Sequence, residues 1–312
     1  MFSEKSKEKQ YNEITDFVIP LHRYHYMVRT VVETINYFYS PRNIYIITPE
    51  INCETININK LSWNTNNIIV ISEEIFFINN YNFKLSDIHN YFTKKIDEKN
   101  REFGWWYQQI IKLGAYKQIT NLSDPYIVWD SDLIPLIKWE IYPTEENNYY
   151  KFAILQENSR AEWVSEEYKK SLMTLTDLPI FHPEVGTFVP HHHIFYHDVV
   201  NELLNKIENK MDMNWIKSII SLSKTFHRFS EYHAISSFMY KYYPSLLNYH
   251  SYEKFGKSGK RIRENNEFLS EINNFIEQNK IDISNGISNL DFLNFAKEKY
   301  IELPTYLQIE HI

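Results

Sequence analysis

Four short runs of almost unbroken apolar residues punctuate the first half of the chain. Residues 16–21 read DFVIPL, 43–48 NIYIIT, 67–72 NIIVIS and 126–129 YIVW, and polar residues or a proline close each run. Runs without a polar face suit strands covered on both sides in a parallel sheet. Between them the period changes. Over 24–38 the apolar positions Met27, Val31, Ile35 and Phe38 recur at helical spacing, and over 103–116 (FGWWYQQIIKLGAY) Trp106, Ile110 and Leu113 form one stripe. Strands alternating with helices in this way predict an α/β layer fold with a mostly parallel sheet flanked by helices.

After residue 150 the pattern becomes more helical. KFAIL (151–155) and GTFVPHHHIFY (186–196) read as strands, and helices are expected over 197–210, 213–223, 230–242 and 264–279. The 312 residues hold six glycines and eleven prolines, with no internal repeat and no flexible linker, so one compact unit is expected. A composition that is 43% hydrophobic and 16% aromatic supports a large core.

Charge narrows the function classes. A net charge of -7, with basic residues scattered except near 254–263, argues against a broad phosphate-backbone footprint and hence against nucleic acid as a partner. Cys53 is the only cysteine, which excludes a disulfide framework and a thiolate metal site and fits a reducing, cytoplasmic setting. Residues 1–13 are charged where a signal peptide needs an apolar centre, and no apolar run approaches the length of a transmembrane segment.

The run at 126–129 ends in Asp130, Ser131 and Asp132. In open parallel sheets ligands gather at the carboxyl ends of strands, and these carboxylates are expected at such an end. Two like charges one residue apart cost several kcal/mol to bury unless a cation neutralises them. A hard divalent ion does so, and Mg2+ or Mn2+ held by one or two carboxylates is suited to a substrate diphosphate. The plain alternative is an exposed turn capped by Asp130 or Ser131.

The helix before that strand carries polar groups on an apolar segment, and its residues have company elsewhere. Trp105, Gln108, Gln109, Lys112, Leu113, Ala115 and Tyr116 are followed by Asp130-Ser131-Asp132 and later by Ser230-Glu231-Tyr232. In this order, over about residues 14–262, the chain resembles the GT-A glycosyltransferases, and within them a poorly characterised group with W..QQ..KL.AY, DSD and SEY motifs. The resemblance implies a GT-A (Rossmann-like) domain over 12–262 with a C-terminal helical extension over 263–312. It implies transfer of a sugar from a nucleotide-diphosphate donor, UDP- or GDP-linked, to a hydroxyl of a glycan or other acceptor, with Mn2+ or Mg2+ as cofactor.

Roles follow from the same resemblance. Asp130 would face the ribose or a metal-bound water, Asp132 would ligate the ion, and a late histidine, His250, would be its third ligand. Pro20, His22 and Arg23 at the first strand's end, Glu73 and Glu74 at the third's, and Gln109, Lys112 and Ser131 would line the donor site. Lys257, Lys260 and Arg261, spaced by Gly256 and Gly259, would fold over the diphosphate and neutralise the leaving group; a solvated basic linker is the alternative. Glu231, just after a Ser230 N-cap, would be the general base that deprotonates the acceptor, or would merely complement the helix dipole.

The histidines at 191–193 and 197 invite a zinc reading, but neighbours on a strand point to opposite faces, so at most His191 with His193, or His193 with His197, could share an ion. The resemblance instead gives His192 and His193 to hydroxyls of donor sugar and acceptor. Trp163, Phe188 and Trp215 are candidates to stack on sugar rings, or simply core. Two other functions stay open: a metal-dependent hydrolase using Asp130, Asp132 and the histidines, and an inactive nucleotide-binding scaffold.

Overall fold

The computed structural model describes residues 15–92, 101–157, 162–225, 228–263 and 266–310. Strand β1 (Phe17–Pro20) leads into helix α1 (Val28–Tyr39), then β2 (Ile44–Thr48), α2 (Glu50–Asn59) and β3 (Ile68–Ser72). Helices α3 (Ile78–Tyr81), α4 (Leu85–Tyr91) and α5 (Arg101–Gln118) return the chain to β4 (Tyr126–Trp129) and β5 (Leu133–Pro135). Next come β6 (Phe152–Ala153), α6 (Glu162–Thr176), β7 (His192–Phe195), α7 (His197–Met211), α8 (Trp215–Ser221) and α9 (Glu231–Tyr242). The chain closes with β8 (Tyr249–His250), α10 (Tyr252–Phe255), β9 (Lys260–Arg263), α11 (Asn266–Gln278), α12 (Asn289–Lys299) and β10 (Tyr306–Glu310).

The main sheet has the order β3-β2-β1-β4-β7. Its first four strands are parallel and β7 runs antiparallel to β4. This is the α/β fold expected, a mostly parallel sheet flanked by helices. The unbroken apolar runs are explained for β1, β2 and β4, whose residues are buried on both faces. The third run departs from that expectation: β3 is an edge strand and Ile69 is 39% exposed.

Helix α1 buries Val28, Val31, Val32 and Ile35 and stops at Ser40, whose left-handed backbone donates its N–H to Asn36 O. Helix α5 packs Trp106, Ile110 and Leu113 into the core, as its stripe predicts, and Tyr126 Oη of β4 donates to Lys112 O (2.8 Å), tying helix to sheet. Ser230 caps α9 by accepting from His233 N. Among the described residues no helix is long and apolar enough to cross a membrane.

A second sheet, β5-β10-β9, joins the C-terminal segment to the main domain. Strand β10 runs antiparallel to β5 and parallel to β9. Beyond β9 the described residues include helices α11 and α12 and strand β10, and residue 262 lies inside β9. Residues 12–14 of the expected domain, like the charged segment 1–13, lie outside the described residues. So does the side chain of Trp163, whereas Phe188 and Trp215 are core.

Candidate active site

Strand β4 delivers Asp130 to the sheet's carboxyl edge. The backbone N–H of Asp130 donates to His191 O (2.8 Å) and Leu133 N donates to Asp130 O (3.2 Å), so residues 130–133 form a tight turn from the first sheet to the second. The acidic tripeptide is thus a hinge between two sheets, and Ser131 sits half-buried at its tip.

Each oxygen of Asp130 is held. Oδ1 accepts from Lys112 Nζ (2.5 Å) and Tyr232 Oη (2.9 Å), and Oδ2 lies 2.8 Å from His191 Nδ1. Lys112 is 1% exposed and also donates to Glu231 Oε1 (2.7 Å) and Tyr232 Oη (3.1 Å). Burial opposes ionisation of Asp130, but the Lys112 ammonium and His191 outweigh it and hold the carboxyl well below the usual carboxylate range. Lys112 in turn stays protonated: burial lowers its pKa, while Asp130 and Glu231 more than offset that. Burial pushes the Glu231 carboxyl up despite its ion pair.

Asp132 is different. Its Oδ2 accepts from Gln308 Nε2 (3.2 Å), its Oδ1 is buried without a hydrogen-bond partner, and burial pushes its carboxyl up. A buried carboxylate oxygen with nothing to accept from is costly unless a cation or a proton meets it. Asp130, Asp132 and His191 offer ligand atoms that lie within 4.8 Å of one another. The two carboxylates suit a Mg2+ or Mn2+ ion, the imidazole leans towards a transition metal such as Mn2+, and the bare oxygen of Asp132 is where the fit is most direct.

Several expected site residues converge here and others do not. Lys112, Asp130, Asp132 and Glu231 form one cluster. Gln109 touches it from inside: its Oε1 accepts from Glu231 N (3.0 Å) and its Nε2 donates to Trp105 O. Glu231, expected as a base, is 3% exposed and committed to Lys112. His250 is not in the cluster. It sits on β8 with Nε2 2.8 Å from Glu140 O, and the histidine grouped with Asp130 and Asp132 is His191.

His192 and His193, expected against sugar hydroxyls, are 0% exposed. His192 Nε2 accepts from Ala153 N and its ring lies 5.0 Å from those of Trp129 and Trp139; His193 stacks on Phe152 and its Nε2 lies 3.0 Å from Ser236 Oγ. Burial holds both rings neutral, at about 3. They bind the molecule's own core.

The basic loop divides. Lys257 pairs with Glu253 in solvent, and Lys260 lies over the Tyr300 ring. Arg261 pairs with Glu310 and stands opposite Gln308 in the register of β9 and β10, on the side that faces Asp132. Pro20 ends β1, and His22 in the following loop packs against the helix α5 backbone at Gly104. Glu73 and Glu74 follow β3. Burial and then the neighbouring Glu74 push the Glu73 carboxyl to about 7.

The family assignment follows the same span. A model described as a family of unknown function, DUF6492, matches residues 22–270. The chain belongs to the DUF6492 family. No relative among curated proteins matches this DUF6492 chain. Among solved structures it is similar to the galactosyltransferase LgtC in complex with donor and acceptor sugar analogs, at 9% identity and TM-score 0.40, with 95% of this chain and 87% of that one covered. An active-site mutant of LgtC gives 10% identity, TM-score 0.40 and coverages of 96% and 88%. Mouse xyloside xylosyltransferase 1 in its apo form gives 9% identity, TM-score 0.44 and coverages of 94% and 97%. Identities this low carry no residue-to-residue correspondence.

Proposed function

We propose that this DUF6492 chain is a metal-dependent glycosyltransferase that moves a sugar from a UDP- or GDP-linked donor to a hydroxyl of a glycan or other acceptor. The observation that carries this is the turn after β4: Asp130 and Asp132 with His191 around one point, and one Asp132 oxygen buried with no partner. The order of its motifs, which resembles that of GT-A enzymes, supports the same conclusion.

Asp130, Asp132 and His191 would hold Mn2+ or Mg2+, which when bound supplies positive charge to a donor diphosphate. The protein's own groups do the rest. Asp130 and Glu231 share the Lys112 ammonium and Asp132 accepts only from Gln308, so the carboxylates outnumber the ammonium and a dication would balance them. Arg261, opposite Gln308 in the register of β9 and β10, would meet charge developing on the leaving diphosphate, with Lys257 and Lys260 of the same loop. Pro20, His22, Arg23 and Ser131 would border the nucleoside. Glu231 would act through Lys112, holding the ammonium that orients Asp130; its burial favours that role over proton abstraction from an acceptor.

The test is a thermal-shift panel of nucleotide sugars with and without Mn2+ or Mg2+, followed by product analysis. A ligand that binds only the folded state raises the melting temperature. Metal-dependent stabilisation by one nucleotide sugar, with sugar transfer or release, supports the proposal. Stabilisation by nucleotide without turnover makes the chain a scaffold, and release of phosphate from esters makes it a hydrolase.

A further inference from the structure

Strand β10 lies beyond the family match at 22–270, yet it reaches the centre of the site. Gln308 is 2% exposed. Its Nε2 donates to Asp132 Oδ2 (3.2 Å) and lies 3.1 Å from His191 Nδ1, the nitrogen that faces the Asp130 carboxylate. One residue on, Ile309 N donates to Asp132 O (3.0 Å), so the same strand grips both backbone and side chain of Asp132.

The other nitrogen of His191 is reached from β10 as well, through one intermediary. The side-chain amide of Gln156 lies 2.6 Å from His191 Nε2, and Tyr306 Oη of β10 donates to Leu155 O (2.7 Å), the residue before. His191 needs this support because it stands in a left-handed backbone conformation (φ 60°), which strands do not enforce.

We propose that Gln308 is a positioning residue for the metal site: it holds Asp132 by one oxygen so that the other stays bare. The proposal rests on the metal reading above. Donors that hold first ligands in place typically govern metal affinity 10- to 100-fold. Strand β10, outside the family match, is then part of the site.

The experiment titrates the full chain with MnCl2 alone by calorimetry and records melting with and without Mn2+ for wild type, Gln308→Leu and Gln308→Glu. Gln308→Leu keeps the volume and loses the amide. Its Mn2+ dissociation constant should rise about 10- to 100-fold, and its metal-free melting temperature should fall, because Asp132 Oδ2 loses its donor. Gln308→Glu sets a third carboxylate against Asp132, so the metal-free protein should melt lower and the rise on adding Mn2+ should exceed that of wild type. A folded Gln308→Leu that binds Mn2+ as wild type does overturns the proposal. If Gln308→Leu does not fold, a Gln308→Glu shift no larger than wild type's overturns it equally. Wild type that binds no Mn2+ is a distinct result, which removes the metal reading and this proposal with it.

Discussion

Glu231 Oε1 lies 2.7 Å from Lys112 Nζ, with both side chains almost wholly withdrawn from water. Ion pairs this deep contribute little net stability, but breaking one leaves a naked charge. The ammonium here also serves Asp130, so one cation settles the state of two carboxylates.

Lys112→Met should therefore destabilise the protein by about 3–5 kcal/mol, because Asp130 and Glu231 lose their shared partner. Lys112→Met with Glu231→Gln should recover part of that loss, since one of the stranded charges is gone. Chemical denaturation of the two singles and the double measures the coupling; additive costs would mean that the pair is not a unit.

Glu231→Gln separates two roles. A positioning residue acts through Lys112 and Asp130, so the variant should retain measurable transfer, with Mn2+ affinity and turnover falling together by about tenfold or more. Loss of all turnover with metal and donor affinity intact would make Glu231 the base after all.

Asp132→Asn removes the charge behind the unpartnered oxygen. Without metal the variant should be as stable as wild type or more so, by about 1 kcal/mol, because a neutral amide costs less to bury than an unpartnered carboxylate. The rise in melting temperature on adding Mn2+ should vanish. A shift that persists in this variant would show that Asp132 does not bind the ion.

Much of this was legible from residue patterns, and the reasons for the misses are physical. Strands β1, β2 and β4 and helices α1, α5, α7 and α9 announce themselves because each buries a continuous run or a regular stripe. Asp130, Asp132, Lys112 and Glu231 stand out as charges on apolar segments. His191 was hidden by the alternation rule used for adjacent histidines: β7 starts only at His192, and His191 turns away on its left-handed backbone. Nothing local marks Gln308, since YLQIE pairs with β5 and β9 through contacts more than forty residues away. Helix α2, EINCETININ, leaves Ile51 and Ile58 exposed and so lacks the stripe that reveals a helix. His250 was placed by chain order alone, and chain order does not carry distance.

Acid sensitivity gives the last prediction. The His233 ring is buried, with Nδ1 unpartnered and Nε2 3.3 Å from Thr187 Oγ1; burial, then the nearby His182, holds its pKa down to about 3. In the unfolded chain the same ring titrates at about 6.5. Between those values the unfolded chain takes a proton that the folded one refuses, so stability is intact above pH 6.5 and declines as pH falls. Each pH unit in that window costs up to about 1.4 kcal/mol for this one ring. Glu73, pushed up to about 7, works in the opposite sense over its own range: the folded state holds its proton more tightly, and stability is gained as pH falls. The net wild-type curve mixes such terms, so the informative quantity is a difference of slopes. His233→Gln cannot titrate, and whatever it costs at pH 7.5, its melting temperature should fall less steeply than wild type's from pH 6.5 to 5. Parallel curves would mean that the ring is protonated in the folded state, against its burial.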